Sequence, residues 1–326
     1  GVAEMTTDPF EPGTDPDRIQ GRGSADMKSG VAAILAAACR AAEDRRGVRS
    51  GREPGGDADP APPSDPRHPP PPALTLVLTA DEEHASLGLR HLLDGPLAPA
   101  LDDVAGVVVT EPTSLALAPA NKGFLWVTVR ARGRAAHGSR PEVGRDAIRQ
   151  LGRFLAALDR LDPAALAPPH PLLGNASFHA GTLSGGEAPS VYPAQAEGTL
   201  EFRLLPGQDP ALVMDRLRAL AQSVEDDHPG VPLEVEEGMI RPGASLDAEH
   251  PLASALADAL RAEGVAPRVE PMTAWVEAAW FMEAGIPALC FGPGSIAQAH
   301  TADEWVAVEE IRVATRVLER LLQVRR

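Results

Sequence analysis

Asp26, Glu82, Glu83, Glu111 and His300 each stand just behind a short apolar run, and this repeated placement constrains the fold more than any other feature of the chain. Short apolar runs alternating with helical stretches build a mostly parallel, buried sheet. Carboxylates and imidazole in that position are the usual raw material of a hydrolytic metal site. The first lies in Gly21-Arg22-Gly23-Ser24-Ala25-Asp26-Met27-Lys28-Ser29-Gly30, where glycines let the backbone turn tightly and Asp26 opens a helix expected over 27–42. Thr79-Ala80-Asp81-Glu82-Glu83-His84 follows an expected strand over 74–78, and Thr110-Glu111-Pro112-Thr113 follows one over 106–109. His300-Thr301-Ala302-Asp303-Glu304-Trp305 ends the loop behind the apolar run at 288–291. Glycines in Phe291-Gly292-Pro293-Gly294 let the backbone carry His300 back over the carboxyl edge of the sheet, where open α/β sheets place ligands.

The length of 326 residues predicts about two domains with a sizeable core. A formal charge of −16 and a pI near 5.0 argue against nucleic acid and anionic membrane as partners, because a negative surface repels polyanions. Small molecules remain. No stretch approaches the ~20 apolar residues of a membrane span. Cys39 and Cys290 are the only cysteines, both in apolar runs, and are expected to pack as small hydrophobes. A reducing, cytoplasmic location fits that usage. Residues 47–72 hold nine of the 33 prolines, a density that forbids regular helix or a central strand, so a solvated surface insert is expected.

The rhythm changes near Asn121. Strands are expected over 124–130, 177–182, 196–204 and 233–236, with helices over 145–161 and 211–224. That βαββαβ order is the ferredoxin-like arrangement. The α/β pattern then resumes with helices over 251–263, 278–284 and 308–324 around the apolar run at 288–291. The expected division is therefore 1–120 and 239–326 for one α/β domain and 121–238 for a domain inserted into it.

At these motifs the chain resembles the acetylornithine deacetylase and succinyl-diaminopimelate desuccinylase family, dizinc exopeptidases and amide deacylases that include glutamate carboxypeptidases and aminoacylases. The resemblance runs from Asp8-Pro9-Phe10 nearly to the C-terminus, interrupted by the proline-rich stretch. It implies a zinc-exopeptidase-like catalytic domain with a mixed, mostly parallel sheet, split by a ferredoxin-like lid through which the protein forms a homodimer. It also implies hydrolysis of the amide bond of a small N-acyl amino acid or short peptide, with two zinc ions, or cobalt or manganese in their place. Matched residue by residue, Asp26 bridges the two ions, Glu83 and His300 complete one ligand set, Glu111 binds the other ion, and Glu82 is the general base. In the lid, Ala136-His137-Gly138-Ser139-Arg140-Pro141 resembles the motif whose histidine stabilises the tetrahedral oxyanion, often in the partner's site. Arg203 matches an arginine that grips the substrate carboxylate, a contact suited to a guanidinium fork.

The sequence departs from the family pattern at three points. Ser190, in Gly185-Gly186-Glu187-Ala188-Pro189-Ser190-Val191-Tyr192-Pro193, stands at a substrate-binding position where the family usually has asparagine, and Glu277 stands where it tends to have aspartate. The family's first motif, a histidine followed two residues later by an aspartate, belongs just upstream of Asp8-Pro9-Phe10, and the sequence begins at Gly1 without it. The 326 residues alone are therefore expected to hold one divalent ion well and a second poorly, with little or no deacylase activity. The competing reading is a catalytically inactive family member that serves as a binding or scaffold protein.

The residue types suit the assigned chemistry. An aspartate offers one oxygen to each of two cations ~3.5–4 Å apart. Neighbouring glutamates near a strand end diverge, so Glu83 can ligate while Glu82 faces the substrate. Their repulsion is offset by a divalent cation. A calcium-type structural site is disfavoured, because no loop supplies closely spaced oxygen ligands.

Overall fold

In a computed structural model of the protein, residues 4–6, 8, 13, 15–45, 74–84 and 86–323 are described. The expected insert at 47–72 lies outside them, as do Pro9 and Phe10. The chain divides into two compact units, one formed by Gly1–Pro119, Leu246–Met272 and Val276–Arg326, the other by Ala120–Ser245 and Thr273–Trp275.

The first unit opens with β1 (Arg18–Gln20), a π-helical turn at Ser24–Lys28, α1 (Ser29–Arg45), α2 (Leu87–Asp94) and β2 (Val107–Val109). The second contains β3 (Ala120–Asn121), β4 (Gly123–Arg132), α3 (Ala147–Leu158), β5 (Ser177–Gly185), β6 (Gln195–Leu204), α4 (Pro210–Asp227), β7 (Leu233–Arg241) and β8 (Ala244–Ser245). The chain returns to the first unit through α5 (Pro251–Ala262), α6 (Ala278–Glu283), β9 (Ala288–Cys290), β10 (Trp305–Ala307) and α7 (Val308–Gln323).

In the first unit β2 and β9 pair in parallel, with Val109 opposite Cys290, so both strands end at the same edge. β1 pairs antiparallel with β10, with Gln20 opposite Trp305. Apolar residues three or four apart give α1, α5 and α7 one buried face each. Ala33 and Ala37, Leu256 and Leu260, and Ala314, Val317 and Leu318 gather with Leu289 and Phe291 in one core. Each fully buried Leu, Val or Phe contributes about 1.5–3 kcal/mol.

Three local expectations are corrected. The helix expected over 27–42 begins at Ser29, so Asp26, three positions earlier in the preceding turn with φ −115° and ψ 97°, does not stand at its cap. Its amide is held instead by a distant carboxylate, described below. Residues 74–79 form no strand, because among the described residues no strand pairs with them, and Leu78 is exposed. Cys39 is exposed while Cys290 is buried. The core face of α1 carries Ala33 and Ala37, and a residue two positions on points about 200° away from it.

The second unit has a four-stranded antiparallel sheet in the order β5-β6-β4-β7. Strand alternation puts Leu125, Val127, Val129 and Ala131 of β4 into the core, against Leu151 and Phe154 of α3 and Met214 and Leu217 of α4. On the other face Arg130 pairs with Glu197 and Glu236 of the flanking strands, and Arg132 with Glu234. Asp146 caps α3 by accepting from the Arg149 amide, and Asp209 caps α4 from Ala211; such caps contribute about 1 kcal/mol each. The strand expected over 233–236 continues to Arg241, paired with β4 across a register shift between Leu125 and Val127. Among the described residues no helix is long and apolar enough to cross a membrane.

Candidate metal centre

The pairing of β1 with β10 brings two loops together. Gly21, directly after β1, donates its amide to the carbonyl oxygen of Glu304, directly before β10, at 3.0 Å. The Glu304 carboxylate is fully buried and accepts from the amides of Ala25 at 3.0 Å and Asp26 at 3.1 Å. Arg22 donates to its other oxygen at 2.8 Å and to the Thr301 carbonyl at 2.9 Å. Behind β9, the Gly294 amide donates to Glu310 at 2.6 Å, which fastens the start of the same loop to α7. His300 sits at φ 61°, in the left-handed region that few non-glycine residues adopt.

The loops converge on a small cluster. Asp26, Glu83 and His300 each offer one ligand atom, all within 4.8 Å of one another. His300 Nε2 lies 2.9 Å from Glu83 Oε1 and 3.5 Å from Asp26 Oδ2. Glu83 is exposed, so the cluster is open to solvent on that side.

Behind it the carboxylates are buried. Glu111 stands two residues beyond the end of β2 and is 4 % exposed. Two glycines allow this packing: a Cβ on Gly30 would lie 2.0 Å from the Thr110 carbonyl oxygen, and one on Gly292 2.6 Å from that of Glu111. Glu277, at the start of α6, is also buried and accepts from the Thr79 hydroxyl at 2.8 Å, which ties α6 to the segment that carries Glu82 and Glu83. Among the described residues its Oε1 has no hydrogen-bond partner.

Crowding and burial penalise every negative charge in this group. Burial, then Glu83, raise Asp26 to about 6, with His300 opposing the shift. Burial, followed by Glu83, Glu277 and Asp26, raises Glu82 to about 8. Glu111 is pushed well above the usual carboxylate range by burial and then by Asp26, Glu82, Glu277 and Glu83. Burial raises Glu277 as well, opposed by hydrogen bonds from Thr79 and Ser86. Carboxylates that destabilise one another in this way are stabilised together by a cation placed among them.

The five residues singled out in the first unit therefore lie in one electrostatic group, and three of them meet directly. The other three lie in the second unit. His137 is exposed, forms a β-bridge with Val191 and places Nδ1 2.8 Å from the Ser139 hydroxyl. The amide of Gly138 donates to the Ser190 carbonyl at 2.7 Å, so the two motifs are neighbours. Arg203 pairs with Glu201 at 2.8 Å and lies over the Phe124 ring. Sequence reasoning gave no role to Arg22 or Glu304 and left that of Glu277 open. Nothing local signals that Glu304 is buried, since glutamates are mostly exposed.

An α/β unit that gathers imidazole and carboxylates beyond the carboxyl ends of parallel strands can hold a divalent cation there. A family model described as peptidase family M20/M25/M40 matches residues 65–324, and the chain belongs to that family. It is 32% identical over 255 residues to an acetylornithine deacetylase of Myxococcus xanthus, covering 76% of this chain and 63% of that protein. It spans about two thirds or less of the length of the curated relatives it matches. Among solved structures, aminopeptidase PepT of Bacillus cereus matches with a TM-score of 0.70 at 17% identity, over 96% of this chain and 75% of that one. A family M20 metallo-carboxypeptidase of Sulfolobus solfataricus matches with a TM-score of 0.69 at 16% identity, over 98% and 80%. These two likenesses share the mixed α/β fold.

Proposed function

We propose that this chain carries the metal centre of an amide hydrolase that releases the acyl group of a small N-acyl amino acid or cleaves a short peptide. The observation that carries the reading is the meeting of Asp26, Glu83 and His300 within 4.8 Å, backed by buried Glu111 and flanked by Glu82. The donor set fits a zinc-type ion: one imidazole nitrogen with carboxylate oxygens, mutually repelling and open to solvent on one side. Asp26, Glu83 and His300 would hold one ion, and Asp26 and Glu111 would contribute to a second, with zinc favoured over cobalt or manganese. Such ions supply Lewis acidity toward the amide carbonyl and the attacking water.

The chain's own groups do the rest. Glu82 takes a proton from the attacking water and delivers it to the leaving amine, a task for a carboxylate that adjoins the ligand Glu83 without being a ligand itself. His137 donates to the developing oxyanion, and Arg203 with Ser190 holds the substrate; for the substrate, Arg203 exchanges part of its contact with Glu201. The second unit serves as lid and homodimer contact, and the location is cytoplasmic. The acetylornithine deacetylase among the relatives supports the amide-hydrolase class. The test is Glu82→Ala in the longest native form of the protein, assayed on N-acyl amino acids and dipeptides. Turnover should fall ~10²- to 10⁴-fold with metal content unchanged; undiminished kcat would remove Glu82 from the mechanism.

A further inference from the structure

We propose that Arg22 and Glu304 form a clamp that presets Asp26 and His300 for a divalent cation, an inference that rests on the metal-centre reading above. Both are positioning residues. Asp26 has no helix to orient it, since its φ and ψ are extended. Its direction is set instead by Glu304, one of whose oxygens accepts from the amides of Ala25 and Asp26 at 3.0 and 3.1 Å. A single acceptor shared by consecutive amides fixes the peptide plane from which the Asp26 side chain departs.

The other oxygen of Glu304 receives Arg22 at 2.8 Å, and the same guanidinium reaches the carbonyl of Thr301, the residue after His300, at 2.9 Å. Arg22 thus joins the turn carrying Asp26 to the loop carrying His300, while β1 and β10 fix the roots of both. The planar fork of arginine suits this double contact, whereas the ammonium of lysine, on a flexible stem, does not reproduce its fixed spacing. Neither side chain is among the ligand atoms of the cluster. Their part is geometric: they hold two ligands near the separation a cation needs before any cation arrives, which lowers the ordering cost of binding. Hydrogen-bonded partners of this kind affect metal affinity by about 10- to 100-fold.

The test uses the purified 326-residue chain, wild type and the variants Arg22→Met, Arg22→Lys and Glu304→Gln. Zn²⁺ affinity is measured by chelator competition, the absorption spectrum of Co²⁺ at saturation reports ligand geometry, and thermal melting reports folding. Arg22→Met and Glu304→Gln should weaken Zn²⁺ about 10- to 100-fold and alter the Co²⁺ spectrum, with Arg22→Lys between them and wild type. A merely structural role would lower the melting temperature and leave the spectrum of the saturated site unchanged. Variants within twofold of a metal-binding wild type, with the same spectrum, overturn the clamp and leave the metal centre standing. A wild type that binds no Zn²⁺ overturns both. Should Glu304→Gln not fold, Arg22→Met decides, and amide exchange in the metal-free wild type gives a further check. Exchange at Ala25 and Asp26 should be slow; unprotected amides there overturn the proposal without any variant.

Discussion

Removing the charge of Glu82 should stabilise the metal-free protein near neutral pH. Its carboxyl is raised from 4.5 to about 8 in the folded chain, chiefly by burial and then by Glu83, Glu277 and Asp26. The folded state therefore keeps a proton that the unfolded chain has released, and this contribution to stability is complete below about 4.5 and lost as pH rises through about 8. Each retained proton costs about 1.4 kcal/mol per pH unit, so pH 6 to 7.5 removes about 2 kcal/mol. Glu111, also raised well above its ordinary range, adds a loss of the same sign. The carboxylates interact, so the protons belong to the cluster as a whole.

For a unit of this size about 2 kcal/mol corresponds to a melting shift of roughly 4–8 °C. Calorimetry in the presence of a chelator at pH 5, 6 and 7.5 should show wild type losing at least that much over the upper interval. Glu82→Gln, which cannot ionise, should be more stable than wild type by about 4 kcal/mol at pH 7.5 but by only about 1 kcal/mol at pH 5, because the penalty accumulates from the unfolded value of 4.5 upward. Saturating Zn²⁺ should reverse the trend of the wild type, since ligands bind metal only when deprotonated. An advantage of Glu82→Gln that is absent at pH 7.5, or equally large at pH 5, would refute the electrostatic account.

His137→Ala in the longest native form should lower kcat ~10²-fold or more with metal content unchanged, because a contact to an oxyanion exists only in the transition state. A rise in KM alone would make it a ground-state contact. Activity recovered on mixing this variant with Glu82→Ala would mean that the two residues work in a site shared across a dimer. Gly30→Ala should destabilise the first unit by several kcal/mol, on the order of an overpacked core site, because the new methyl meets the Thr110 carbonyl oxygen at 2.0 Å. A melting temperature within 2–3 °C of wild type, about 1 kcal/mol for a unit of this size, would mean that α1 yields without displacing Glu111.

Much of the site was legible because strand ends punctuate an α/β sequence. Glu111 and the loop to His300 follow β2 and β9, whose Val107–Val109 and Ala288–Cys290 are apolar enough to read as buried strands. The second unit was legible through alternation: Gly123–Arg132 and Gln195–Leu204 bury every second residue. What stayed hidden depends on contacts remote in sequence. Asp26 reads as a helix cap, but the helix starts only at Ser29 and the Asp26 amide is held by Glu304, 278 residues away. The run at 74–78 reads as a strand from composition, but strand formation needs a hydrogen-bonded neighbour, and none is present among the described residues. Cys39 lies in an apolar helix whose buried stripe passes it by, which only the packing of α1 against its neighbours reveals. Glu277 is buried by the packing of α6 and the Thr79 hydroxyl, a pairing over 198 positions.

The central claim is that Asp26, Glu83 and His300 hold a divalent cation. Elemental analysis after dialysis, with Zn²⁺ titration of the metal-free 326-residue chain and of Asp26→Asn and His300→Ala, tests it directly. The account predicts at least one tightly held ion per chain, lost in both variants while the fold, read by circular dichroism, persists. A chain that retains no ion, or an ion retained undiminished in both variants, would contradict it.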